Sequence, residues 1–331
     1  MKKILITGAS GFIGNFLIEE GLKRNYEVYA AIRRSSKIEH LKNKPVKFIE
    51  IDFADQENLN SKMASSPEFN YIIHNAGITK SLRRKNFFEI NYQFTKNFIE
   101  AISFSNRIPL KFLYVSSLSA AGPGKPDISA PISLSDASVP ITNYGLSKLS
   151  SENYIAKRSD ISSIIIRPTA VYGPGDKDFF NVVKLINSHI DLMIGSHKQA
   201  LSFIYVKDLS RVIFDLLESP VINKTFLASD GNTYIKTAMS DIIAEIIQKK
   251  FCRVHVPIIM AKIIAAISEA ISRITGNVSV LNLEKIKEFS AYNWTCEITS
   301  LINDINFKPD YSLEKGLKET IEWYKQKGWI R

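Results

Sequence analysis

A tyrosine placed four residues before a lysine can form a proton-transfer pair if both lie in a helix. Residues 144–148 read Tyr144-Gly145-Leu146-Ser147-Lys148, and positions i and i+4 share one face of a helix. A free tyrosine has a pKa of about 10, too high for efficient proton exchange at neutral pH. A neighbouring ammonium group favours the phenolate and lowers that pKa. We therefore expect Tyr144 to be a general acid or base and Lys148 to activate it.

A second group capable of chemistry is the serine pair that ends an apolar run. Residues 112–115 are Phe-Leu-Tyr-Val, and Ser116 and Ser117 follow directly. The run predicts a buried strand, and ligands bind at the carboxyl ends of strands in doubly wound sheets. A serine hydroxyl at that edge can donate a hydrogen bond to a substrate carbonyl oxygen while a hydride reaches the carbon. Either serine could fill this role.

A glycine-rich segment near the start of the chain predicts the site of a dinucleotide. It lies directly between the first predicted strand and the first predicted helix, the context that gives such a fingerprint its meaning. Glycines permit a tight turn and let a pyrophosphate approach the amide groups of the helix N-terminus. The expected cofactor-binding residues in this segment are Gly8, Ser10, Gly11, Phe12, Ile13 and Gly14.

The end of the second predicted strand indicates which dinucleotide is bound. NAD-preferring sites place an acid there to hold the ribose hydroxyls, but here Ile32 is followed by Arg33 and Arg34. A guanidinium suits the 2′-phosphate of NADP through its charge and its paired donors. We therefore favour NADP, with NAD as the open alternative. Asp52 and Phe53, after the third strand, are expected to flank the adenine.

Short apolar runs alternate with helical patterns, which is typical of a parallel sheet covered by helices. We predict an α/β, doubly wound parallel-sheet Rossmann fold with a smaller, interleaved C-terminal substrate lobe. The dinucleotide-binding domain comprises residues 1–170, joined by 201–230, and the lobe comprises 171–200 and 231–331. The predicted strands are residues 3–7, 27–32, 47–51, 71–74, 111–116 and 163–167, with 225–228 returning to the main sheet. The predicted helices are residues 15–24, 91–103, 178–190, 241–249, 258–273 and 311–327.

Composition narrows the function classes. The 331 residues carry a formal net charge of +10, but the Lys and Arg residues are spread along the chain without a nucleic-acid recognition motif, so no nucleic-acid partner is expected. The two cysteines form no CxxC or Cys/His cluster, which favours a reducing cytoplasmic location without a metal site. The most apolar stretch, residues 254–274, contains charged residues and predicts an amphipathic helix rather than a membrane insertion.

Along nearly its whole length the chain resembles the extended short-chain dehydrogenase/reductase family. The resemblance rests on the glycine loop, on the YxxxK segment and on Ser117. It rests also on three further segments: His74-Asn75-Ala76-Gly77, the decapeptide RPTAVYGPGD at residues 167–176, and FIYVKDL at residues 203–209. It implies that Asn75, Ala76, Gly77 and Pro168, together with Tyr144 and Lys148, contact the cofactor.

The resemblance also assigns roles in catalysis. It favours Ser117 over Ser116 as the hydroxyl that orients the carbonyl, because Ser117 lies five residues before Gly122. It makes Tyr144 the general acid or base and Lys148 its activator, with Asn91 supporting the lysine. Pairing through helices of the main domain is common in the family, which implies a homodimer.

Departures from family patterns separate the reactions that this family catalyses. Dehydratases of nucleotide sugars carry an Asp-Glu pair after the catalytic hydroxyl, whereas Leu118 and Ser119 stand here. Many nucleotide-sugar epimerases carry an asparagine where this chain has Ala170. The form RPTAVYGPGD at residues 167–176 and the apolar segment after Val256-Pro257 instead resemble the branch of 3β-hydroxysteroid dehydrogenases and dihydroflavonol reductases. They favour a carbonyl reductase or hydroxyl dehydrogenase that acts on a small-molecule substrate.

Two alternatives stay open. The basic loop at residues 78–85 follows the fourth strand and could receive an anionic nucleotide sugar, as an NAD-dependent epimerase requires, or could be a solvated charge run. A non-catalytic NADP-binding regulator is the alternative of another class, and the complete set of Ser117, Tyr144 and Lys148 argues against it.

Overall fold

The computed structural model describes residues 1–127, 130–195, 198–275 and 282–330. Seven parallel strands form the main sheet in the order β11-β6-β5-β4-β1-β2-β3. The strand order reverses between β4 and β1, the place where doubly wound sheets bind ligands. In chain order the strands are β1 (Lys3–Thr7), β2 (Glu27–Ile32), β3 (Lys47–Glu50), β4 (Tyr71–His74), β5 (Lys111–Val115), β6 (Ser163–Pro168), β7 (Ala170–Tyr172), β8 (Ile190–Ile194), β9 (Ala200–Leu201), β10 (Phe203–Tyr205), β11 (Lys224–Ala228), β12 (Tyr234–Ile235), β13 (Cys252–Val256) and β14 (Asn293–Trp294).

Helices cover both faces of the sheet, and so its central strands are buried on both sides. Every residue of β5 and β6 is buried. The α-helices are α1 (Phe12–Lys23), α2 (Gln56–Ser65), α3 (Arg84–Phe87), α4 (Phe94–Phe104), α5 (Asn143–Ala156), α6 (Lys177–Asn187), α7 (Val206–Glu218), α8 (Ala238–Ile247), α9 (Ile258–Thr275), α10 (Leu283–Ser290), α11 (Thr299–Ile305) and α12 (Leu313–Gln326). A π-helical turn, Phe88–Gln93, joins α3 to α4.

The second lobe has its own core, in which α6, α8 and α12 bury Val183, Ile243 and Leu317. It also contains a two-stranded parallel ribbon of β8 and β13. The chain passes between the two units more than once, because β11 pairs with β6 at the edge of the main sheet. Ile298 and Leu301, which the sequence analysis assigned to the lobe, pack in the core of the main sheet.

The structure confirms the doubly wound parallel sheet and all seven of its predicted strands. Several predicted helix bounds were wrong. Helix α1 begins at Phe12, inside the glycine loop, rather than at residue 15. The helix predicted for residues 178–190 ends at Asn187, and Ile190 begins β8 instead. His189 between them has a φ of 64°, a left-handed conformation that interrupts a helix.

Candidate active site

The glycine loop forms a cradle that fits a pyrophosphate. Gly11 precedes α1, whose N-terminus receives no hydrogen bond from a capping side chain, and its amide groups therefore remain free to bind an anion. A Cβ at Gly14 would lie 2.2 Å from the carbonyl oxygen of Gly8. Only glycine permits this close approach, which brings the first turn of the helix against the loop. Ser10, Phe12 and Ile13 lie in the same segment, and their contact with the cofactor stays a prediction.

The segment after β4 is held against the loop by a buried polar network. Thr7 Oγ1 accepts hydrogen bonds from the amides of Asn75 (3.1 Å) and Ala76 (3.0 Å) and lies 2.8 Å from His74 Nδ1. On its other side, His74 Nε2 lies 2.9 Å from Thr95 Oγ1. Burial lowers the pKa of His74 to about 3, helped by the charge of Lys148. His74 is therefore a neutral structural group that fixes the backbone beside the cofactor cradle.

A groove of about 660 Å³ lies at the carboxyl ends of β2 and β3. Arg33, Arg34 and Lys62 line it together with three acids: Glu50 of β3, Asp52, and Asp55, which caps α2. Both arginine side chains are exposed, and neither forms an ion pair within the residues that the structure describes. The groove thus has the position expected for the adenosine end of a dinucleotide, and its lining contains three basic and three acidic side chains. Phe53, by contrast, packs in the core against Phe94 and Phe98, and so its ring face is not free to stack on adenine.

Ser117 and Tyr144 are brought together by a close contact between α5 and the turn after β5. A Cβ at Gly145 would lie 2.2 Å from the carbonyl oxygen of Ser119, so a larger residue would push the helix away from the serine. Thr142 caps α5 by accepting a hydrogen bond from Gly145 N at 3.0 Å. A hydrogen bond from Ser117 lowers the pKa of Tyr144, but burial outweighs it and raises that pKa to about 12.

Lys148 is buried beneath this pair. Its Nζ donates to the carbonyl oxygen of Val115 at 2.8 Å and lies 4.6 Å from the ring centre of Tyr114. Burial lowers the pKa of Lys148 to about 8, although Glu152 raises it in part. The expected lowering of the Tyr144 pKa by this lysine is not found in the protein alone, because Nζ points to the end of β5 and burial of the tyrosine dominates.

Ser116 and Ser117 have different partners. Ser116 is buried and donates a hydrogen bond to Glu152, which also forms a paired contact with Arg167, with Nη2 2.6 Å from Oε2. This fixes Ser116 away from Tyr144 and supports Ser117 as the substrate-orienting hydroxyl. The sequence analysis missed Glu152 and the role of Arg167. The signal was present, since Glu152 stands four residues after Lys148 on the same face of α5.

Asn91 lies in the π-helical turn and is completely buried. Its side chain donates to the carbonyl oxygen of Ile78 at 3.0 Å and to Ser147 Oγ at 2.9 Å, and it accepts from Ile78 N at 2.8 Å. The resemblance implied that Asn91 supports Lys148, but its hydrogen bonds go to Ile78 and Ser147. It instead fixes the segment after Gly77, where an added Cβ would lie 3.5 Å from Lys148 Nζ. Such turns frequently occur at functional sites.

The cleft above Tyr144 is bordered by the basic loop and by α10. The Phe87 ring, at the end of α3, lies 6.4 Å from that of Tyr144, and Lys80 of the loop pairs with Asp178 at the start of α6. On the opposite side, Glu284 accepts a hydrogen bond from Asn143 N, and the charge of Glu288 raises the pKa of Tyr144. Sequence patterns gave no signal for α10, since it comes from a segment 140 residues further along the chain.

Asp176 and Pro168, two residues of the segment at 167–176, have structural positions in the fold. Asp176 caps α6 by accepting from Asp178 N at 2.9 Å, and burial raises the pKa of its carboxyl group to about 6. Pro168 ends β6 and is buried.

Within the described ranges, no group of three or more His, Cys, Asp or Glu side chains could hold a metal ion. In those same ranges no helix has the length and apolar character needed to cross a membrane.

The model of the NAD dependent epimerase/dehydratase family matches residues 4–227. The chain is 25% identical over 330 residues to the ceramide reductase of Caulobacter vibrioides, covering 99% of this chain and 96% of that protein. It is 27% identical over 342 residues to the UDP-glucose 4-epimerase of Vibrio cholerae, with 98% and 96% covered. The structure is similar to that of the UDP-glucose 4-epimerase of Thermotoga maritima, with a TM-score of 0.79 and 20% identity over 98% of this chain and 99% of the other. That likeness supports the fold.

Proposed function

We propose that this chain, which belongs to the NAD dependent epimerase/dehydratase family, is an NADP-using carbonyl reductase or hydroxyl dehydrogenase for a small-molecule substrate. Its membership, with Ser117, Tyr144 and Lys148 present, makes it a nicotinamide-dependent oxidoreductase, as the sequence predicted. The preference for NADP and for net redox turnover is our proposal. The observation that carries it is that Arg33 and Arg34 are exposed, and without an ion pair among the described residues, where NAD sites place an acid.

The nicotinamide, when bound, supplies or accepts the hydride. The protein's own part is the movement of a proton and the orientation of the substrate oxygen. Burial raises the pKa of Tyr144 to about 12, so the side chain is a phenol at neutral pH. It is positioned to give a proton to a carbonyl oxygen, but it is a weak acid until bound cofactor and substrate favour the phenolate. Ser117 lies beside Tyr144, and in the complex its single O–H would turn from the tyrosine to donate a second hydrogen bond to the same carbonyl oxygen. Lys148, with a pKa of about 8, is mostly charged at pH 7. Its Nζ is bound to Val115 in the protein alone, and its proposed role is to stabilise the phenolate once cofactor and substrate are bound.

An NAD-retaining nucleotide-sugar epimerase is the second candidate. The observation in its favour is the basic loop beside the cleft, where Lys80 pairs with Asp178 and α3 brings Phe87 against Tyr144. A relative named UDP-glucose 4-epimerase supports it, whereas one named ceramide reductase supports net reduction. A non-catalytic regulator is disfavoured by the complete catalytic set. A homodimer and a cytoplasmic location stay predictions from the sequence.

The test begins with freshly purified protein, from which any bound dinucleotide is extracted, and continues with fluorescence titrations of NADPH and NADH. We expect an empty protein that binds NADPH more tightly. Arg33→Ala should weaken NADPH binding about tenfold, the value of one charge-assisted hydrogen bond, and leave NADH binding nearly unchanged. Lys37→Ala, an exposed basic neighbour outside the groove, is the control. Equal losses for both dinucleotides, or tightly retained NAD, would favour the epimerase.

A further inference from the structure

Helix α9 presents its small residues to the protein and its large ones to solvent. Ala261 and Ala265 are completely buried. Positions two residues apart lie on nearly opposite sides of a helix with 3.6 residues per turn, so the isoleucines two positions away from these alanines face outward. Six large apolar residues of α9 are between 48% and 73% exposed: Ile259, Met260, Ile263, Ile264, Ile267 and Ile271. By comparison, α12 buries Leu313, Leu317 and Ile321.

The ribbon of β8 and β13 extends this apolar surface. Ile194 and Val256 pack against the cluster of Ala261 and Ala265. Side chains two positions apart on a strand point to the same face, so Leu192 and Val254 continue the face that α9 covers at one end. Both are exposed, at 48% and 42%. Together, α9 and this ribbon face form one apolar surface, which we call the α9 surface.

The charge around the α9 surface is positive. Lys249 and Lys250 lie just before β13, separated from it by Phe251, and Lys262 lies on α9 itself. All three lysines are exposed and form no ion pair within the described part of the chain. The one acid of α9, Glu269, accepts a hydrogen bond from Leu283 N at the start of α10. An apolar helix face bordered by lysines is the pattern of helices that lie in the surface of an anionic bilayer.

We propose that the α9 surface docks this protein onto the surface of an anionic lipid membrane. Helix α9, about 27 Å long at 1.5 Å per residue, lies along the interface with its isoleucines among the acyl chains and its lysines at the phosphates. A second copy of the chain is the weaker fit. A symmetric pairing brings the same patch together on both copies, which would oppose lysine to lysine in a chain with a net charge of +10.

Docking there would place the catalytic cleft close to the bilayer. Ile286 of α10 packs with Ala261 and Ala265, and Glu284 of α10 binds the backbone beside Tyr144. One helix therefore separates the α9 surface from the catalytic tyrosine. The consequence is an amphiphilic substrate that is taken from the membrane. This consequence rests on the proposed function, whereas docking itself does not.

The experiment is co-sedimentation of the full-length chain with vesicles of phosphatidylcholine alone or mixed with phosphatidylglycerol. We expect wild type to pellet with the anionic vesicles, and high salt or the pair Lys249→Gln and Lys250→Gln to weaken this. The pair Ile263→Glu and Ile267→Glu should lower partitioning at least about tenfold. Leu110→Glu, at an equally exposed residue remote from α9, should pellet as wild type does. Thermal melting of each variant verifies that it folds.

Three outcomes would overturn the proposal: wild type that stays in the supernatant, an isoleucine variant that pellets as wild type does, or a wild-type dimer that this variant converts to monomer without vesicle binding. The last would make the α9 surface a contact between copies. Because sedimentation needs neither cofactor nor turnover, a failure here would leave the proposed oxidoreductase function untouched. Loss of NADPH binding by Arg33→Ala would conversely say nothing of docking.

Discussion

Arg33 and Arg34, at the adenosine side of the cleft, are exposed and form no ion pairs within the described residues. Lys148 and Arg167, at the catalytic side, are at most 9% exposed and are bound to fixed partners. An exposed arginine side chain stays hydrated, so it has little effect on the stability of the fold and remains available to a ligand. A buried cation is tolerated only with partners of good geometry. The first pair can therefore select a cofactor without holding the fold, while the second holds atoms in place before any ligand arrives.

The largest effect expected from a change on the catalytic side is on turnover. Tyr144→Phe should lower kcat by about 10²–10⁴-fold, the usual contribution of a positioned proton donor, and leave NADPH affinity nearly unchanged. Steady-state kinetics and fluorescence titration measure the two. Tyr154→Phe, on the same helix with its hydroxyl bound to Glu100, is the control. A Tyr144→Phe enzyme that retains its rate would break the proposed division between the two sides.

The next effect is on stability. Glu152→Gln should lower the free energy of unfolding by about 3 kcal/mol, because it leaves Arg167 buried without its counter-charge. Urea unfolding measures this change. Glu100→Gln, half-buried on α4 and bound to Tyr154, should cost less than about 1 kcal/mol. If both variants lose the same small amount, the buried pair does not hold the catalytic side in place.

The smallest effect appears in the dependence of stability on pH. The pKa of Lys148 is about 8 in the folded protein and about 10.4 in an unfolded chain. Between these values the unfolded chain binds more protons, and so this group makes stability rise with pH. From pH 8 to 10 we expect wild type to gain about 1–2 kcal/mol relative to Lys148→Met.

Melting at several pH values measures this difference. Lys262→Met, which removes an exposed lysine of α9, should show the same pH dependence as wild type. A Lys148→Met variant with the wild-type pH profile would mean that the lysine is solvated, and the contrast between the two sides of the cleft would weaken.

Part of the site could be predicted from the sequence because it depends on residues that are close together in the chain. The turn after β1, the YxxxK spacing on α5 and the apolar runs of the sheet each depend on residues within about ten positions of one another. Their types predict a helix face, a glycine turn or a strand without knowledge of the rest of the chain. Glu152 could have been predicted in the same way, since its spacing from Lys148 can be seen in the sequence. The β8–β13 ribbon does not, because its two strands are about sixty residues apart and β8 follows a helix with an apolar pattern.

The sequence by itself predicted the parallel sheet, which the structure confirms, and the glycine loop after its first strand. It also named Tyr144 and Lys148 as candidate catalytic residues by their spacing and Ser117 by the family resemblance, and these roles stay predictions. Only the tertiary structure decided which partners these groups have and how burial changes their pKa values. It bound Ser116 to Glu152, directed Lys148 to Val115 and raised the pKa of Tyr144 by burial. It also decided which face of α9 meets the protein. Burial and pairing depend on which distant segments come together in the fold, and a local sequence pattern does not predict those contacts.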